Sequence, residues 1–294
     1  MEYTDEFGYL PVEDTIEWTS GRVEPSAQFA DAQKWMTKFA NRDGYLYPPL
    51  IHTRSWHPSG KTSKVPKSDR PALLHKLPPT HALRLDVPHN EDLRLGIAGF
   101  FMHFAGFLYG HRCQFHDWWV DSRIPLRPQA DRHVRKVDAD LCFTRAFEKW
   151  ESWSKREQIL ATNALYLHGR APSYEWPWER FQAEYQILDA LFALAKPSLK
   201  QKTVTHSNRI QVLCDEYGLA FEPECVRRIV GARNELIHEA LWGGANPLSS
   251  EGEPPFPLIL HRLTSRLLLA MVGVRGTYIG SAWWGLGHAY FKAE

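Results

Sequence analysis

The chain has 294 residues, of which 44% are hydrophobic and 13% are aromatic, and it carries a formal net charge of +1. This composition is typical of a folded globular protein and excludes an intrinsically disordered chain. The near-neutral charge excludes a protein that is basic over its whole surface, so any contact with nucleic acid is expected to use a local patch. The longest apolar stretches, 97–109 and 258–274, are interrupted by His, Gly or Arg and are too short or too polar to span a membrane.

The N-terminal residues and the cysteines both favour a cytoplasmic protein. The first residues lack the basic and then apolar pattern of a secretory signal, and the four cysteines are scattered without a Cys-x-x-Cys pair, as expected for reduced thiols. His103, His111, Cys113 and His116 lie near one another in sequence, but their spacing matches no zinc-binding pattern. The sequence therefore predicts neither a metal nor another cofactor.

The N-terminal part of the chain predicts one helix followed by a long proline-rich segment. The helix is expected at 26–41, with Ser26 as its N-cap and with Phe29, Trp35 and Phe39 at roughly helical spacing. Between residues 48 and 90 the prolines exclude long helices. The basic residues of this segment include Lys61, Lys64, Lys67 and Arg70. The segment is expected to be either a solvated loop with some edge strands or a basic arm that helps to hold an RNA backbone.

Two features precede the change to an all-helical sequence. Residues 97–109 are apolar nearly all round, which predicts a buried helix, and the alternation at 113–117 predicts a short strand. Beyond about residue 138 the sequence predicts helices alone. We therefore expect a mainly α protein with an N-terminal mixed α/β domain over 1–138, which senses a signal or holds RNA, and a helical bundle over 139–294.

The C-terminal part predicts a series of amphipathic helices. They are expected at 140–167, 178–196, 208–217, 221–242 and 258–274. Pro177 suits the first turn of the second of these helices, and Gly218 is a natural C-cap for the third.

The fourth of these helices carries an arginine and a histidine, Arg233 and His238, five residues apart. The bare spacing is not specific, because three other pairs share it or nearly share it. These pairs are Arg70/His75, Arg84/His89 and Arg127/His133. Arg233 differs from the other three arginines because a polar residue, Asn234, follows it and because it lies within a long predicted helix.

Arg233 also falls within the apolar stripe of its helix, where an unpaired guanidinium is costly. It is therefore expected to have a carboxylate partner, a ligand anion or a cleft to point into. Asp189 is the favoured carboxylate partner and Glu184 is the other candidate. His238 is expected about 140° further around the helix, so that both side chains flank one edge of a groove, and Asn234 is expected to hold the ring of His238. The alternative is an arginine that is salt-bridged inside the bundle beside a half-buried histidine.

The segment 225–242 is similar to the C-terminal motif helix of HEPN domains, in which an Arg and a polar residue precede a His. The segment 181–192 resembles the second core helix of the same bundle, especially in the ApeA-like branch, whose members tend to carry an N-terminal domain of mixed or β character. This resemblance covers about half of the chain and implies an antiparallel helical bundle at its C-terminal end.

The resemblance also implies an activity, which is cleavage of RNA without a metal by attack of a ribose 2′-hydroxyl on the neighbouring phosphate. His238 would transfer protons and Arg233 would bind the phosphate. Asn234 would orient His238 or the scissile phosphate. Because one histidine cannot be base and acid in the same step, a homodimer with a composite active site is expected. The implied roles are those of a toxin or an antiviral defence effector, with a protein trigger as a further partner.

Two alternatives to the ribonuclease remain. One is a catalytically silent HEPN module that binds RNA or a protein partner. The other is an all-α scaffold in which Arg233 and His238 are packing residues.

Overall fold

A computed structural model describes residues 2–48, 54–56, 62–64, 76–87, 93–120, 122–199, 204–245, 247, 255–285 and 287–294, with the backbone alone for 54–56 and 62–64. The α-helices of these residues are α1 (Phe29–Phe39), α2 (Ile97–Tyr109), α3 (Lys136–Ser152), α4 (Lys155–Arg170), α5 (Pro177–Ala195), α6 (Arg209–Tyr217), α7 (Pro223–Asn234) and α8 (Phe256–Met271). The strands are β1 (Tyr3–Gly8), β2 (Ile16–Trp18), β3 (Gly21–Pro25), β4 (Tyr45–Leu46), β5 (Arg54–Trp56), β6 (Thr62–Lys64), β7 (His81–Leu85), β8 (Gln114–Phe115) and β9 (Ile124–Pro125). The chain is therefore mainly α, as its sequence predicts.

The largest sheet has five antiparallel strands in the order β2-β3-β7-β1-β8. Its central strand β7 pairs with β3 and β1, which places Leu83 opposite Val23 and Asp5. Four of the five residues of β7 are buried, whereas in β3 only Val23 is buried. Strand β8 lies where the sequence predicts a short strand.

Helix α2 is buried on nearly every side, which confirms the helix predicted at 97–109. Trp18 of β2 stacks on Phe101 at 4.8 Å, and Phe143 of α3 stacks on the same ring at 5.6 Å. Phe107 contacts His168 of α4 with their ring centroids 5.2 Å apart. Helix α2 therefore lies between the sheet and the helices, which explains why its sequence has no polar face.

Helix α1 is shorter than predicted, and a different face of it is buried. Ser26 does not cap this helix, which begins after Gln28: the Ser26 hydroxyl donates a hydrogen bond to the carbonyl of Pro79 and accepts one from the backbone N–H of Gln28. Phe29, Ala32 and Met36 are buried, whereas Trp35 and Phe39 are 42% and 53% exposed. At about 100° per residue, positions 32 and 36 lie about 60° and 20° from position 29 around the helix, whereas position 35 lies about 120° from it and position 39 is the last residue of the helix. The predicted grouping of the three aromatic residues was therefore wrong.

The single helix predicted at 140–167 is two helices, α3 and α4, which are separated at Trp153 and Ser154. Ser154 caps α4: its Oγ accepts a hydrogen bond from the backbone of Glu157, whose carboxylate accepts one from the Ser154 backbone N–H at 2.8 Å. This reciprocal capping satisfies two donors at a new helix start, so the chain bends there.

The proposed domain boundary at 138/139 falls within α3, and the hydrophobic core continues across it. Helix α2 packs against α4, and α3 packs against β2. One cluster of buried apolar residues includes Phe7 and Phe101 from the first part and Leu188 and Leu263 from the second. The two parts thus share one core, and the division into two domains stays a prediction.

Helices α4, α5, α6 and α8 pack together in the second part of the chain. Helix α5 begins at Pro177, and α6 ends at Gly218, whose φ of +68° is left-handed, so both predicted helix ends are confirmed. Among the residues that the structure describes, no helix combines the length and the apolar composition that a membrane span requires.

Candidate functional site

The helix that carries Arg233 and His238 changes its geometry between them. The side chain of Glu222 caps the start of α7, which continues as a regular α-helix to Asn234. The chain then makes a π-helical turn over Glu235–Glu239 and leaves the helix at Ala240, whose φ is +56°. The predicted helix over 221–242 is therefore too long at its C-terminal end.

The π-helical turn brings Arg233 and His238 into contact. In a regular α-helix, two residues five apart point about 140° away from each other, but a π-helical turn bonds residue i to residue i+5 and places both on one side. Nη1 of Arg233 lies 3.4 Å from Nε2 of His238. Because a guanidinium only donates, this contact is a hydrogen bond in the tautomer of His238 whose Nε2 carries no proton. The expectation that the two side chains only flank a groove edge was wrong.

Asn234 joins the same cluster through Arg233. Its Oδ1 accepts a hydrogen bond from Nη1 of Arg233 at 3.1 Å, so its contact is with the arginine and not with the ring of His238. Asn234 and His238 are exposed, and Arg233 is partly buried. The three residues singled out by the sequence therefore lie together at the surface.

Neither predicted carboxylate neutralises Arg233. Asp189 pairs with Arg209 instead, with 2.5 Å between Oδ1 and Nη1. Glu184 is buried on another face of α5, where it bonds to His261 and Thr264. Among the described residues, no carboxylate lies within ion-pair distance of Arg233. The ion pair expected between Arg233 and Asp189 was wrong, because Arg209 of α6 occupies the position beside Asp189.

Arg233 points into a groove of about 90 Å³ between α5 and the end of α7. The groove is lined by Phe181, Gln182, Tyr185, Gln186, Asp189, Arg233, Leu236 and Ile237. The guanidinium carbon of Arg233 lies 6.0 Å from the ring centroid of Tyr185, at the outer limit of a cation–π contact. Of the outcomes that the sequence allowed for this arginine, the structure therefore has the cleft.

A second histidine, His206, approaches the groove from the turn before α6. Its ring centroid lies 5.4 Å from that of Tyr185. No pattern in the sequence marks His206, because it belongs to no motif and lies 21 residues from Tyr185 and 27 residues from Arg233 along the chain.

Several polar atoms around the groove are enclosed without a hydrogen-bond partner in the described part of the chain. They are Nε of Arg233, Oη of Tyr185 and Nε2 of His206. Burial and then the charge of Asp189 raise the pKa of Tyr185 to about 12, so its hydroxyl remains a donor. Burial and then the charge of Arg233 lower the pKa of His206, so its ring is neutral near pH 7. Polar atoms left unpaired in this way are the ones that a bound ligand can satisfy.

No family model, curated protein or solved structure matches the chain. The resemblance to HEPN domains therefore depends on the sequence of the segments 225–242 and 181–192.

The charges around the groove suit an anion. Two cations, Arg209 and Arg233, lie near the groove, whereas Asp189 is the one carboxylate among its described lining residues. Asp189 is already paired with Arg209. A planar guanidinium with free donors can bind two oxygens of one phosphate, and an adjacent imidazole with an accessible nitrogen can transfer a proton.

The basic arm predicted to hold RNA remains a prediction. Lys61, Lys67 and Arg70 lie outside the described residues, and Lys64 ends β6, of which the structure describes only the backbone.

Proposed function

We propose that the chain is a metal-independent endoribonuclease of the HEPN type, with Arg233, Asn234 and His238 as its catalytic residues. One observation supports this most: Arg233, which has no carboxylate partner among the described residues, lies 3.4 Å from the exposed His238 across a π-helical turn. π-helical turns are rare in proteins and occur frequently at functional sites.

The proposed reaction uses the two side chains in different ways. Arg233 binds the non-bridging oxygens of the scissile phosphate and stabilises the charge that develops there. His238 removes the proton of the ribose 2′-hydroxyl, whose oxygen attacks the phosphorus as the bond to the 5′ oxygen breaks. The products are a 2′,3′-cyclic phosphate and an RNA fragment with a free 5′-hydroxyl.

The leaving 5′ oxygen needs a proton from a second group, which we assign to His238 of a second copy in a homodimer. Ile237, the residue before His238, is a large apolar side chain that is 48% exposed, as expected at such an interface. In this proposal residues 1–138 respond to a protein trigger, and the enzyme acts as a toxin or an antiviral defence effector.

Cleavage of labelled RNA in EDTA tests the activity. Wild type is expected to cut, and His238→Ala is expected to leave the RNA intact. Arg227→Ala is the matched control, because Arg227 lies on the same helix but is exposed and paired with Glu224. Mapping of the fragment ends should find cyclic phosphates. RNA that stays whole but is retarded on a gel would favour the binding module instead, and neither effect would favour the scaffold.

Mixing experiments test the composite site separately. An excess of His238→Ala is expected to lower the activity of wild type below the value set by dilution, since mixed dimers lack one of the two histidines. Sedimentation at the assay concentration should find a dimer. Full activity of a monomer would contradict the assignment of the second histidine and leave the proposed reaction in place.

A further inference from the structure

Three side chains that are far apart in sequence converge inside the helical part of the chain, on a face of α5 other than the groove face. They are His168 of α4, Glu184 of α5 and His261 of α8, which are 3%, 1% and 8% exposed. Nδ1 of His261 lies 2.6 Å from Oε1 of Glu184, and the rings of the two histidines stack with centroids 4.0 Å apart. One donor atom from each residue can be chosen so that all three lie within 4.8 Å of one another.

Two imidazoles and one carboxylate are the donor set of several catalytic zinc and non-haem iron sites. Donors bound at about 2.1 Å to a tetrahedral ion lie about 3.4 Å apart. The widest of these three separations must therefore shorten by at most about 1.4 Å, which rotations of the side chains supply.

Neighbouring hydroxyl groups orient these side chains. Thr264 donates a hydrogen bond to Oε2 of Glu184 at 2.6 Å, and Oγ of Ser265 lies 3.0 Å from Nε2 of His168. Both hydroxyls come from α8, next to the helical turn that carries His261. Outer hydrogen bonds of this kind hold metal ligands in place in known sites.

Two cavities adjoin the cluster. The larger, of about 270 Å³, is bordered by Glu184 and His261 and is otherwise lined mainly by proline, alanine and leucine side chains, with Arg180 at its wall. The smaller is lined by His168 and His261 together with His111.

The side chain of His111 is an independent sign of a ligand. His111 is 3% exposed, and its Nδ1 has no hydrogen-bond partner among the described residues. A buried polar atom without a partner is unusual in a folded protein, unless a ligand or a bound water satisfies it. His111 lines the same small cavity as two of the three cluster residues.

We propose that His168, Glu184 and His261 bind one divalent transition-metal ion, with Zn²⁺ as the preferred ion and with one coordination position open towards the cavities. The nitrogen donors favour zinc or iron over magnesium and calcium, which prefer oxygen ligands. Three protein ligands beside a cavity match a catalytic site, in which water occupies the fourth position, whereas structural sites are closed. This site is separate from the proposed ribonuclease groove, and it revises the expectation from sequence that the chain binds no metal.

Titration of Zn²⁺ into EDTA-treated and desalted full-length protein tests the proposal. One ion per chain is expected, with a dissociation constant below about 1 μM. Bound Co²⁺ is expected to give visible absorption bands of a low-coordinate site, and Zn²⁺ is expected to raise the melting temperature of the wild type.

Conservative variants connect the binding to these residues. Glu184→Gln and His261→Gln retain groups that can hydrogen-bond, so they are expected to fold, but they should weaken Zn²⁺ binding by more than about 100-fold. Thr264→Val removes only an outer hydrogen bond and is expected to cost roughly 10–100-fold. His103→Gln is the matched control, since His103 of α2 packs against Tyr166 of α4 but is not part of the cluster.

Far-ultraviolet circular dichroism of each metal-free variant establishes that it is folded before the titration. The proposal is overturned if folded wild type binds no Zn²⁺ in the micromolar range. It is also overturned if Glu184→Gln and His261→Gln bind Zn²⁺ as tightly as His103→Gln does. Should both variants fail to fold, Thr264→Val and the Co²⁺ spectrum of wild type decide the question.

Discussion

Replacement of Arg233 by alanine separates a catalytic arginine from a structural one. In the free protein Arg233 has one good hydrogen bond, to Asn234 at 3.1 Å, and one long contact, to His238 at 3.4 Å. Both partners are exposed, so water replaces the arginine once it is removed. A hydrogen bond that involves a charged group contributes about 1.5–3 kcal/mol, but exposure to water reduces this value, and the loss of a partly buried guanidinium that has no carboxylate partner among the described residues offsets part of the rest. The free energy of unfolding should therefore fall by no more than about 1 kcal/mol.

The expected effect of Arg233→Ala on catalysis is much larger. Loss of one donor to a developing oxyanion typically slows a reaction by about 10²–10³-fold, and Arg233 can supply two donors to the phosphate. We therefore expect cleavage to slow by about 10³-fold, which corresponds to about 4 kcal/mol of transition-state stabilisation. Single-turnover cleavage at saturating enzyme measures this change, and urea denaturation of the same samples measures stability.

Arg227→Ala is the control for both measurements of Arg233→Ala. Arg227 forms an exposed pair with Glu224 at 2.6 Å on the same helix, and such pairs contribute about 0.5 kcal/mol or less. Its replacement should leave the cleavage rate unchanged. A catalytic role for Arg233 is refuted if the folded fraction of Arg233→Ala cleaves RNA at the rate of wild type. A fall in stability of about 3 kcal/mol or more, as the breaking of a buried ion pair gives, would then identify a structural arginine.

Three further predictions concern the groove, the pH dependence of stability and a helix cap. His206→Ala is expected to keep the cleavage rate within about threefold of wild type, because a second copy supplies His238; a loss of about 10²-fold would assign the second proton transfer to His206 of the same chain. Burial lowers the pKa of His81 to about 4. The unfolded chain binds a proton at this residue below about pH 6.5, whereas the folded chain binds it only near pH 4. The free energy of unfolding should therefore fall by up to about 3 kcal/mol as the pH is lowered from 6.5 to 4. Urea denaturation measures this fall, which should be smaller in His81→Gln. Ser154→Ala removes the cap that pairs with Glu157 and should lower stability by about 1 kcal/mol in the same assay, whereas no change would mean that packing alone starts this helix.

Much of the helical part could be predicted from local sequence. Helix α2, the start of α5 at Pro177 and the end of α6 at Gly218 depend on apolar periodicity and on the backbone preferences of single residues. Ser154 and Glu157, which form the cap of α4, also indicate the break between α3 and α4. The aromatic residues before the break have helical spacing, however, and so predict one continuous helix. The prediction of the buried face of α1 was wrong because Phe29 and Trp35 are six residues apart, which places them on different sides of the helix.

The candidate site divides in a similar way. The sequence singled out Arg233, Asn234 and His238 by their helix, by the polar residue after the arginine and by a charge in an apolar stripe. The contact between Arg233 and His238 could not be predicted, because it depends on a π-helical turn that no local pattern in the sequence marks. The choice of Arg209 over Arg233 as the partner of Asp189 depends equally on how α6 is positioned.

By itself, the sequence determined where most helices form and indicated Arg233 and His238 as candidate catalytic residues. Helix periodicity, caps and a short motif depend on only a few neighbouring residues. Only the tertiary structure decided that Arg233 points into a cleft and that no carboxylate in the described part of the chain pairs with it. Only the tertiary structure brought His206 to the groove and joined His168, Glu184 and His261 across 93 residues of chain. The physical reason is distance along the chain: these contacts arise between helices whose relative positions depend on the shared core, and no local pattern encodes them.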